Sequence, residues 1–170
     1  MEKDIVKTIS RNAVVAAIYF LLTFIGQGIG FGPVQVRISE ALVLLCFFRR
    51  DYIYGLTLGC LLSNLLSPFF PWDLLIGTAA TALSCLLVSY FKHLLLATLV
   101  PSIINGFTIG AEITFLFNYG KNGYILTSLF IIIGEFIAVS VIGYLLFLLA
   151  KRNKSFFNVI DANKNTDFKW

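Results

Sequence analysis

The sequence predicts an all-α membrane protein: a six-transmembrane-helix bundle in a single domain, with both termini cytoplasmic. Of the 170 residues, 58% are hydrophobic and only 13% are charged, and the mean hydropathy is +0.87. This composition is too apolar for one soluble core. The apolar residues form six continuous runs, and most charged residues fall between them. A membrane β-barrel would instead need segments of alternating apolar and polar residues.

Each apolar run is assigned one helix, because about 20 apolar residues span the hydrocarbon layer. The runs are separated by RRD at 49–51, SPFFP at 67–71, KH at 92–93 and NYGKNG at 118–123. The second run is short and contains a glutamate, so we expect a loop over 31–37 to dip toward the membrane before it. The expected helices are 12–30, 38–48, 52–67, 72–91, 94–117 and 124–150, followed by a cytoplasmic tail at 151–170.

The orientation follows from lysine and arginine, which favour the cytoplasmic side of a membrane. With the N-terminus inside, only Arg37 and Lys121 fall outside. Loop asymmetry and anionic lipid therefore account for the net charge of +4, and no nucleic-acid partner is predicted. The residues placed inside are Lys3, Lys7, Arg11, Arg49, Arg50, Lys92, Lys151, Arg152, Lys154, Lys164 and Lys169.

Sequence motifs of enzymes are absent from the chain. It contains no GxxxxGK followed by Ser or Thr, no HExxH and no GxSxG. Without a phosphate-cradling loop, uphill movement of a solute would need a partner ATPase or a coupling ion. Cys46, Cys60 and Cys85 lie singly in apolar runs, which is typical of small buried hydrophobes. We predict no catalytic residue, no metal site and no cofactor.

Polar residues inside the apolar runs are the candidate functional residues, because a charge at a helix centre in a membrane costs about 2.5 to 3.5 kcal/mol. Asn105, Thr108 and Glu112 share one face of the fifth helix by their spacing. A second stripe, on the fourth helix, is formed by Asp73, Gly77, Thr81 and Ser84. The complete set of candidates is Gln27, Arg37, Glu40, Asn64, Asp73, Asn105, Glu112 and Glu135.

Several candidates also have a structural interpretation. Asn105 and Thr108 would hydrogen-bond between helices, and Asp73 would cap the fourth helix. Glu112 and Glu135 are harder to explain in this way, because a carboxylate within a membrane helix needs a ligand, a cation or a proton.

Arg37 and Glu40 allow two interpretations. In the first, they pair with each other across the first turn of the second helix, near the surface. In the second, they close an outward-facing pocket with the glycine-rich loop GQGIGFGP at 26–33, which can approach a ligand closely. We favour the pocket, with Glu40 facing it and Arg37 holding Glu40 in place.

Four segments spread across the predicted helices carry a resemblance to a known family. They are PVQVRISEALVLL (33–45), LGCLLSNLLSP (58–68), WDLLIGTAATALSCLL (72–87) and PSIINGFTIGAEI (101–113). The chain resembles the queuosine-precursor (QueT-type) substrate-binding S components of energy-coupling factor (ECF) transporters, and VRISEAL is the most specific block.

The resemblance implies a six-helix subunit in a prokaryotic cell membrane. Such a subunit binds 7-aminomethyl-7-deazaguanine (preQ1), or a related 7-deazaguanine, from outside. It docks on a module of one transmembrane protein and two cytoplasmic ATPases. In S components a small-residue AxxxA pattern in helix 1 contacts the transmembrane partner, and here Ala13 and Ala17, with Ala16 alongside, match that pattern. The aromatic loop SPFFPWD and the C-terminal tail are departures from the family pattern.

A preQ1-like ligand suggests roles for the carboxylates. One carboxylate can accept both the N1–H and the exocyclic amine of a guanine-like edge, and we assign Glu112 or Glu135 to this edge. The aminomethyl cation needs a second carboxylate or an aromatic face, and we assign Glu40 or Asp73 to it.

The other candidates complete this hypothetical site. Asn105 and Gln27 are assigned to the carbonyl and ring nitrogens, and Trp72 or Phe31 to a stacking lid. Two alternatives remain open: an ion-coupled secondary transporter, which would transport alone, and a structural membrane subunit, which would not bind the ligand. The chain shows no convincing inverted repeat, which counts against the secondary transporter.

Overall fold

The computed structural model describes residues 2–32, 34–151 and 154–165, with side chains from residue 4 onward except at 151 and 154. Every regular element in this part of the chain is helical, so the all-α prediction is confirmed. The α-helices are α1 Glu2–Ile25, α2 Gln27–Gly30, α3 Leu45–Phe48, α4 Tyr52–Asn64, α5 Trp72–Val88, α6 Leu94–Phe117, α7 Gly120–Glu135, α8 Tyr144–Lys151 and α9 Lys154–Val159. A 3-10 helix, Ile38–Leu44, precedes α3, and a π-helix, Phe136–Gly143, joins α7 to α8.

Within the described residues, three spans are long and apolar enough to cross a membrane: Asp4–Ile25, Leu94–Phe117 and Gly120–Ala150. The sixth predicted run therefore forms one continuous helical span, although its middle is a π-helix. Two shorter apolar helical segments are Ile38–Phe48 and Trp72–Val88.

The helix bounds follow the apolar runs, with local differences. The fifth run forms α6 at its predicted limits, Leu94–Phe117. The first predicted helix, 12–30, is wrong at both ends, because α1 begins at Glu2 and stops at Ile25, and a turn at Gly26 separates it from α2. The third predicted helix, 52–67, corresponds to α4, which ends earlier, at Asn64. The residue before a proline, here Pro68, is disfavoured in a helix.

The short second run forms the centre of the molecule. Val43, Leu44, Phe47 and Phe48 have no exposed surface, and Ile38–Phe48 packs against α1, α4, α5, α6 and the π-helix. From residue 41 to residue 48 this segment is apolar on all sides, which is typical of a buried helix. Its burial among the longer helices explains both its length and its composition.

Polar and apolar side chains are distributed inside out compared with a soluble protein. Large hydrophobic residues such as Phe24 on α1 and Phe115 on α6 are exposed, whereas Glu40, Asn64 and Asp73 have no exposed surface. This is the arrangement expected when hydrocarbon surrounds the helices and polar groups must find partners inside.

Helices α1 and α4 touch through small residues. A side chain on Gly59 would begin 2.9 Å from the carbonyl oxygen of Ala16 and 2.8 Å from the Cβ of Tyr19. Ala16 is consequently buried within the chain, whereas Ala13 and Ala17 are exposed on the outer side of α1.

At the basic end, defined here by Arg11, Arg49, Asp51 and Asp161, the C-terminal segment folds back onto the helices. Arg11 donates to Asp51 at 2.8 Å and to Asp161 at 2.7 Å, and Arg49 lies 3.2 Å from Asp161. Burial alone would raise the pKa of Asp161, but contacts with Lys7, Arg49 and Arg11 outweigh it and hold that pKa below its usual range. The described part of the predicted tail is therefore attached to the helix bundle.

Candidate ligand-binding site

Arg37 lies at the centre of a cluster of buried polar side chains. Its Nη2 is 3.5 Å from Asp73 Oδ2, its Nη1 donates to Asn64 Oδ1 at 3.3 Å, and its Nε donates to the Gly30 carbonyl at 3.2 Å. The guanidinium carbon also lies 4.7 Å from the centre of the Phe31 ring, within cation–π range. These contacts fix the only cation described in this cluster.

Glu40 projects from the 3-10 helix into the same interior. One carboxylate oxygen, Oε1, accepts hydrogen bonds from the Tyr19 hydroxyl and, at 3.2 Å, from Thr81 Oγ1. The other, Oε2, is buried without a hydrogen-bond partner in the described chain. The interpretation of Arg37 and Glu40 as a surface pair is wrong, because both residues are buried and Arg37 forms its ion pair with Asp73. The expectation that Arg37 holds Glu40 in place is also wrong, because Tyr19 and Thr81 bind the Glu40 carboxylate.

Asp73 begins the polar stripe of α5. Its Oδ2 accepts from the Ser67 hydroxyl and faces Arg37, while its Oδ1 is buried and has no hydrogen-bond partner in the part of the chain that the structure describes. The capping interpretation is wrong, since the N-cap residue is Pro71 and no side chain caps this helix. Thr81 and Ser84 on the same stripe are also buried, as their spacing predicts.

Helices α6 and α7 contribute two further carboxylates. Asn105 Nδ2 donates to Glu135 Oε1 at 2.9 Å, so the interhelical hydrogen bond expected for Asn105 is present. Glu112 is 4% exposed, and neither of its carboxylate oxygens has a hydrogen-bond partner in the described chain. The Asp73 side chain lies within hydrogen-bond reach of Glu112, so the two carboxylates adjoin and Glu112 belongs to the same cluster.

Acceptor atoms outnumber donors in this cluster. Four carboxylates, from Glu40, Asp73, Glu112 and Glu135, accompany the single guanidinium of Arg37. A buried acceptor without a donor is costly, so the arrangement suits a ligand that brings several N–H groups and a positive charge. The buried acceptors of this cluster that lack a hydrogen-bond partner among the described residues are Glu40 Oε2, Asp73 Oδ1, Asn105 Oδ1, Glu112 Oε1, Glu112 Oε2 and Glu135 Oε2.

An aromatic cavity of about 580 Å³ opens beside the loop at 31–35. It lies between this loop, Phe69 and the adjoining ends of α6 and α7, and a volume of a few hundred Å³ is typical of small-molecule pockets. The residues that define it here are Phe31, Gln35, Phe69, Phe117, Tyr119 and Phe130.

Comparison with known proteins gives the family. A family model described as QueT transporter matches residues 9–152. The chain belongs to the QueT transporter family. It is 33% identical over 169 residues to a protein of Lactococcus lactis subsp. cremoris (strain MG1363) named "Queuosine precursor transporter QueT", which covers 89% of this chain and 97% of the relative. No solved structure matches.

Family membership confirms the resemblance found in the sequence. The three long apolar spans and the match to a transporter family make this chain a multi-pass protein of the cell membrane. The family is one of transporters, which agrees with the absence of enzyme motifs from the sequence.

Not all predicted site residues lie together. Trp72 is 43% exposed and packs edge to face against Phe115, with ring centres 6.1 Å apart, in a groove that Glu112 also lines. Gln27 is half-buried on α2 and does not line the aromatic cavity. Phe31 does line it and stacks on Arg37, so of the two predicted lid residues Phe31 is the one at the cavity.

Sequence reasoning missed Gln35. This residue is 3% exposed and lines the aromatic cavity, and its buried Nε2 has no hydrogen-bond partner among the described residues. The sequence does contain one indication of its role: Gln35 is a single amide between Val34 and Val36, in the segment that also contains Arg37 and Glu40.

Proposed function

We propose that this chain is the substrate-binding S component of an ECF-type importer. It captures preQ1 or a related 7-deazaguanine from outside the cell, and ATP-driven uptake is supplied by a partner module of one transmembrane protein and two ATPases. The similarity to a protein named as a queuosine precursor transporter supports the substrate class. The observation that carries the proposal is the excess of buried, unpartnered acceptors around Arg37.

The ligand chemistry complements these acceptors. A protonated preQ1 presents an ammonium, an N1–H, an exocyclic amine and a pyrrole N–H, all of which are donors. Glu112 suits the guanine-like edge better than Glu135, because both of its oxygens are unpartnered, whereas one oxygen of Glu135 is already bonded to Asn105. Glu40 and Asp73, each with one unpartnered oxygen, are the candidates for the ammonium.

The proposed topology has six crossings with both termini in the cytoplasm. Arg11 and Arg49 form ion pairs at the basic end, and cationic side chains favour the cytoplasmic side. The three shorter segments, Ile38–Phe48, Tyr52–Asn64 and Trp72–Val88, would complete the six crossings. In this orientation the aromatic cavity opens to the outside.

The proposed contact with the transmembrane partner lies on the outer side of α1. Ala13 and Ala17 are exposed one turn apart, which allows another helix to approach the backbone closely. Ala16 packs against Gly59 inside the chain, so its part in this interface is indirect, through the position of α1.

Calorimetry on the detergent-purified chain tests the proposal directly. We expect preQ1 to bind, and its uncharged 7-cyano analogue to bind about tenfold to hundredfold more weakly, because a charged hydrogen bond is lost. Equal affinities would remove the proposed role of the carboxylates. Absence of preQ1 binding would reject the S-component proposal, and uptake by the chain alone in proteoliposomes would favour an ion-coupled transporter.

A further inference from the structure

We propose that Gln35 recognises the ring carbonyl of the ligand from the wall of the aromatic cavity. In this role Gln35 is a specificity-determining residue that favours rings with a carbonyl oxygen at position 6. The inference rests on the proposed function, because it takes the ligand to be a 7-deazaguanine.

The first support is the state of the Gln35 amide. The side chain is 3% exposed, and Nε2 has no hydrogen-bond partner in the described part of the chain. An amide nitrogen is a donor only, and a buried donor is normally paired. Gln35 lines the aromatic cavity, but Nε2 itself has almost no accessible surface, so a rotation of the side chain would bring this donor to an acceptor bound there.

The second support is the backbone that holds Gln35. Its φ is +48°, in the left-handed region that residues other than glycine adopt infrequently. The Gln35 N–H donates to the Gly32 carbonyl at 3.0 Å, and on the other side α7 presents Gly134, where even a methyl group would overlap the Val34 carbonyl. An unusual conformation held from both sides is typical of a residue positioned for a ligand.

The third support is the shape of the cavity. Its volume of about 580 Å³ is sufficient for a bicyclic ring, and aromatic side chains such as Phe31, Phe69 and Phe117 line it. Aromatic walls stack on the faces of a flat ring and leave its edges to polar groups. Among the lining residues Gln35 is a buried amide, whereas Thr127 is only half-buried.

The fourth support is the polarity of the cluster of buried polar side chains around Arg37. Its carboxylates offer acceptors, and these cannot bind a ring carbonyl, which is itself an acceptor. Arg37 directs its donors to Asp73, Asn64 and the Gly30 carbonyl. Tyr119 also carries a donor on the cavity wall, but it is 53% exposed, whereas Gln35 is 3% exposed. The buried Gln35 amide is therefore assigned to the carbonyl, a role for which the sequence suggested Gln27 and Asn105.

The test compares preQ1 with its 6-thio analogue, which retains N1–H but replaces the carbonyl oxygen with a weak acceptor. We expect the unmodified chain to bind preQ1 up to about tenfold more tightly than the 6-thio compound, the value of a neutral hydrogen bond. In Gln35→Met the ratio of the affinity for preQ1 to the affinity for the 6-thio compound should fall to about twofold or less. Gln35→Asn tolerates a positive φ but retracts the amide, and it should lose the preference as well.

Asn122→Met is the control substitution, since it removes an exposed amide of α7 that does not line the aromatic cavity. It should keep the preference for the 6-oxo ring. The inference is overturned if both Gln35 variants, with melting temperatures showing that they fold, retain the ratio of the unmodified chain. It is equally overturned if Asn122→Met abolishes that ratio, whereas absence of preQ1 binding to the unmodified chain would identify the proposed function as the failing step.

Discussion

Arg37 and Asp73 form an ion pair at 3.5 Å in which the side chains are 6% and 0% exposed. Arg37 comes from the loop before the 3-10 helix, and Asp73 lies in the first turn of α5. The pair thus joins segments 36 residues apart in the sequence. Because both charges are buried, the loss of either one leaves the other without compensation.

Arg37→Ala should consequently destabilise the protein strongly. We expect a loss of about 3 to 5 kcal/mol, the usual cost of breaking a buried ion pair, whereas a surface pair would cost at most about 1 kcal/mol. The measurement is denaturation of the detergent-purified chain. The double variant Arg37→Met with Asp73→Leu should recover part of the loss, and a melting curve for Arg37→Ala that matches the unmodified chain would contradict this account.

Glu40→Gln should weaken preQ1 binding by more than about tenfold, because a charged acceptor becomes an amide. The melting temperature should change little, since the amide oxygen still accepts from Tyr19 and Thr81, the present donors to Glu40. Calorimetry measures the affinity. Thr81→Val removes one of these donors and keeps the charge, so the affinity of this variant should stay closer to that of the unmodified chain. An equal loss of preQ1 affinity in both variants would assign Glu40 a structural role.

Part of this architecture could be predicted from the sequence, because it depends on local composition. The apolar runs predict the helices, and α6 begins and ends at the same residues as the fifth apolar run. The polar stripe of Asp73 and Thr81 is buried as helical spacing requires. These features depend on periodicity, which a single sequence records.

Features that depend on tertiary contacts could not be predicted in this way. Arg37 lies three positions before Glu40, yet its partner is Asp73, and only the packing of α5 against the loop decides this. The importance of Gln35 follows from its backbone angle and from the cavity beside it. The attachment of Asp161 to Arg11, 150 residues away, likewise leaves no local pattern.

Glu112→Gln should weaken preQ1 binding about tenfold to hundredfold, because the amide replaces one accepting oxygen with a donor. Thr108→Val, one turn away on α6, is the matched control: its hydroxyl is bonded to the Ile104 carbonyl. The control should retain its affinity in calorimetry. Unchanged affinity of Glu112→Gln would move the guanine-edge contact to Glu135 or Glu40.

Replacement of both Ala13 and Ala17 by Trp should block assembly with the ATPase module, since two indole rings prevent close approach of a partner helix. The affinity of the isolated chain for preQ1 should not change. Ile103 and Phe107 are likewise exposed one turn apart, on α6, and Trp at both positions is the control. A pull-down of the module that is equal for the two double variants would place the docking surface elsewhere.

The basic end should respond to acid through Asp161. Its contacts with Lys7, Arg49 and Arg11 lower the pKa of the folded state despite partial burial, which acts in the opposite direction. A lowered pKa stabilises the folded state above the ordinary aspartate pKa of about 3.9, and this contribution is lost as the pH falls through the folded value. Asp161→Asn should therefore lower the melting temperature at neutral pH, and the difference from the unmodified chain should shrink below about pH 4. A difference in melting temperature that is constant from neutral to acid pH would show that Asp161 acts through packing and not through its charge.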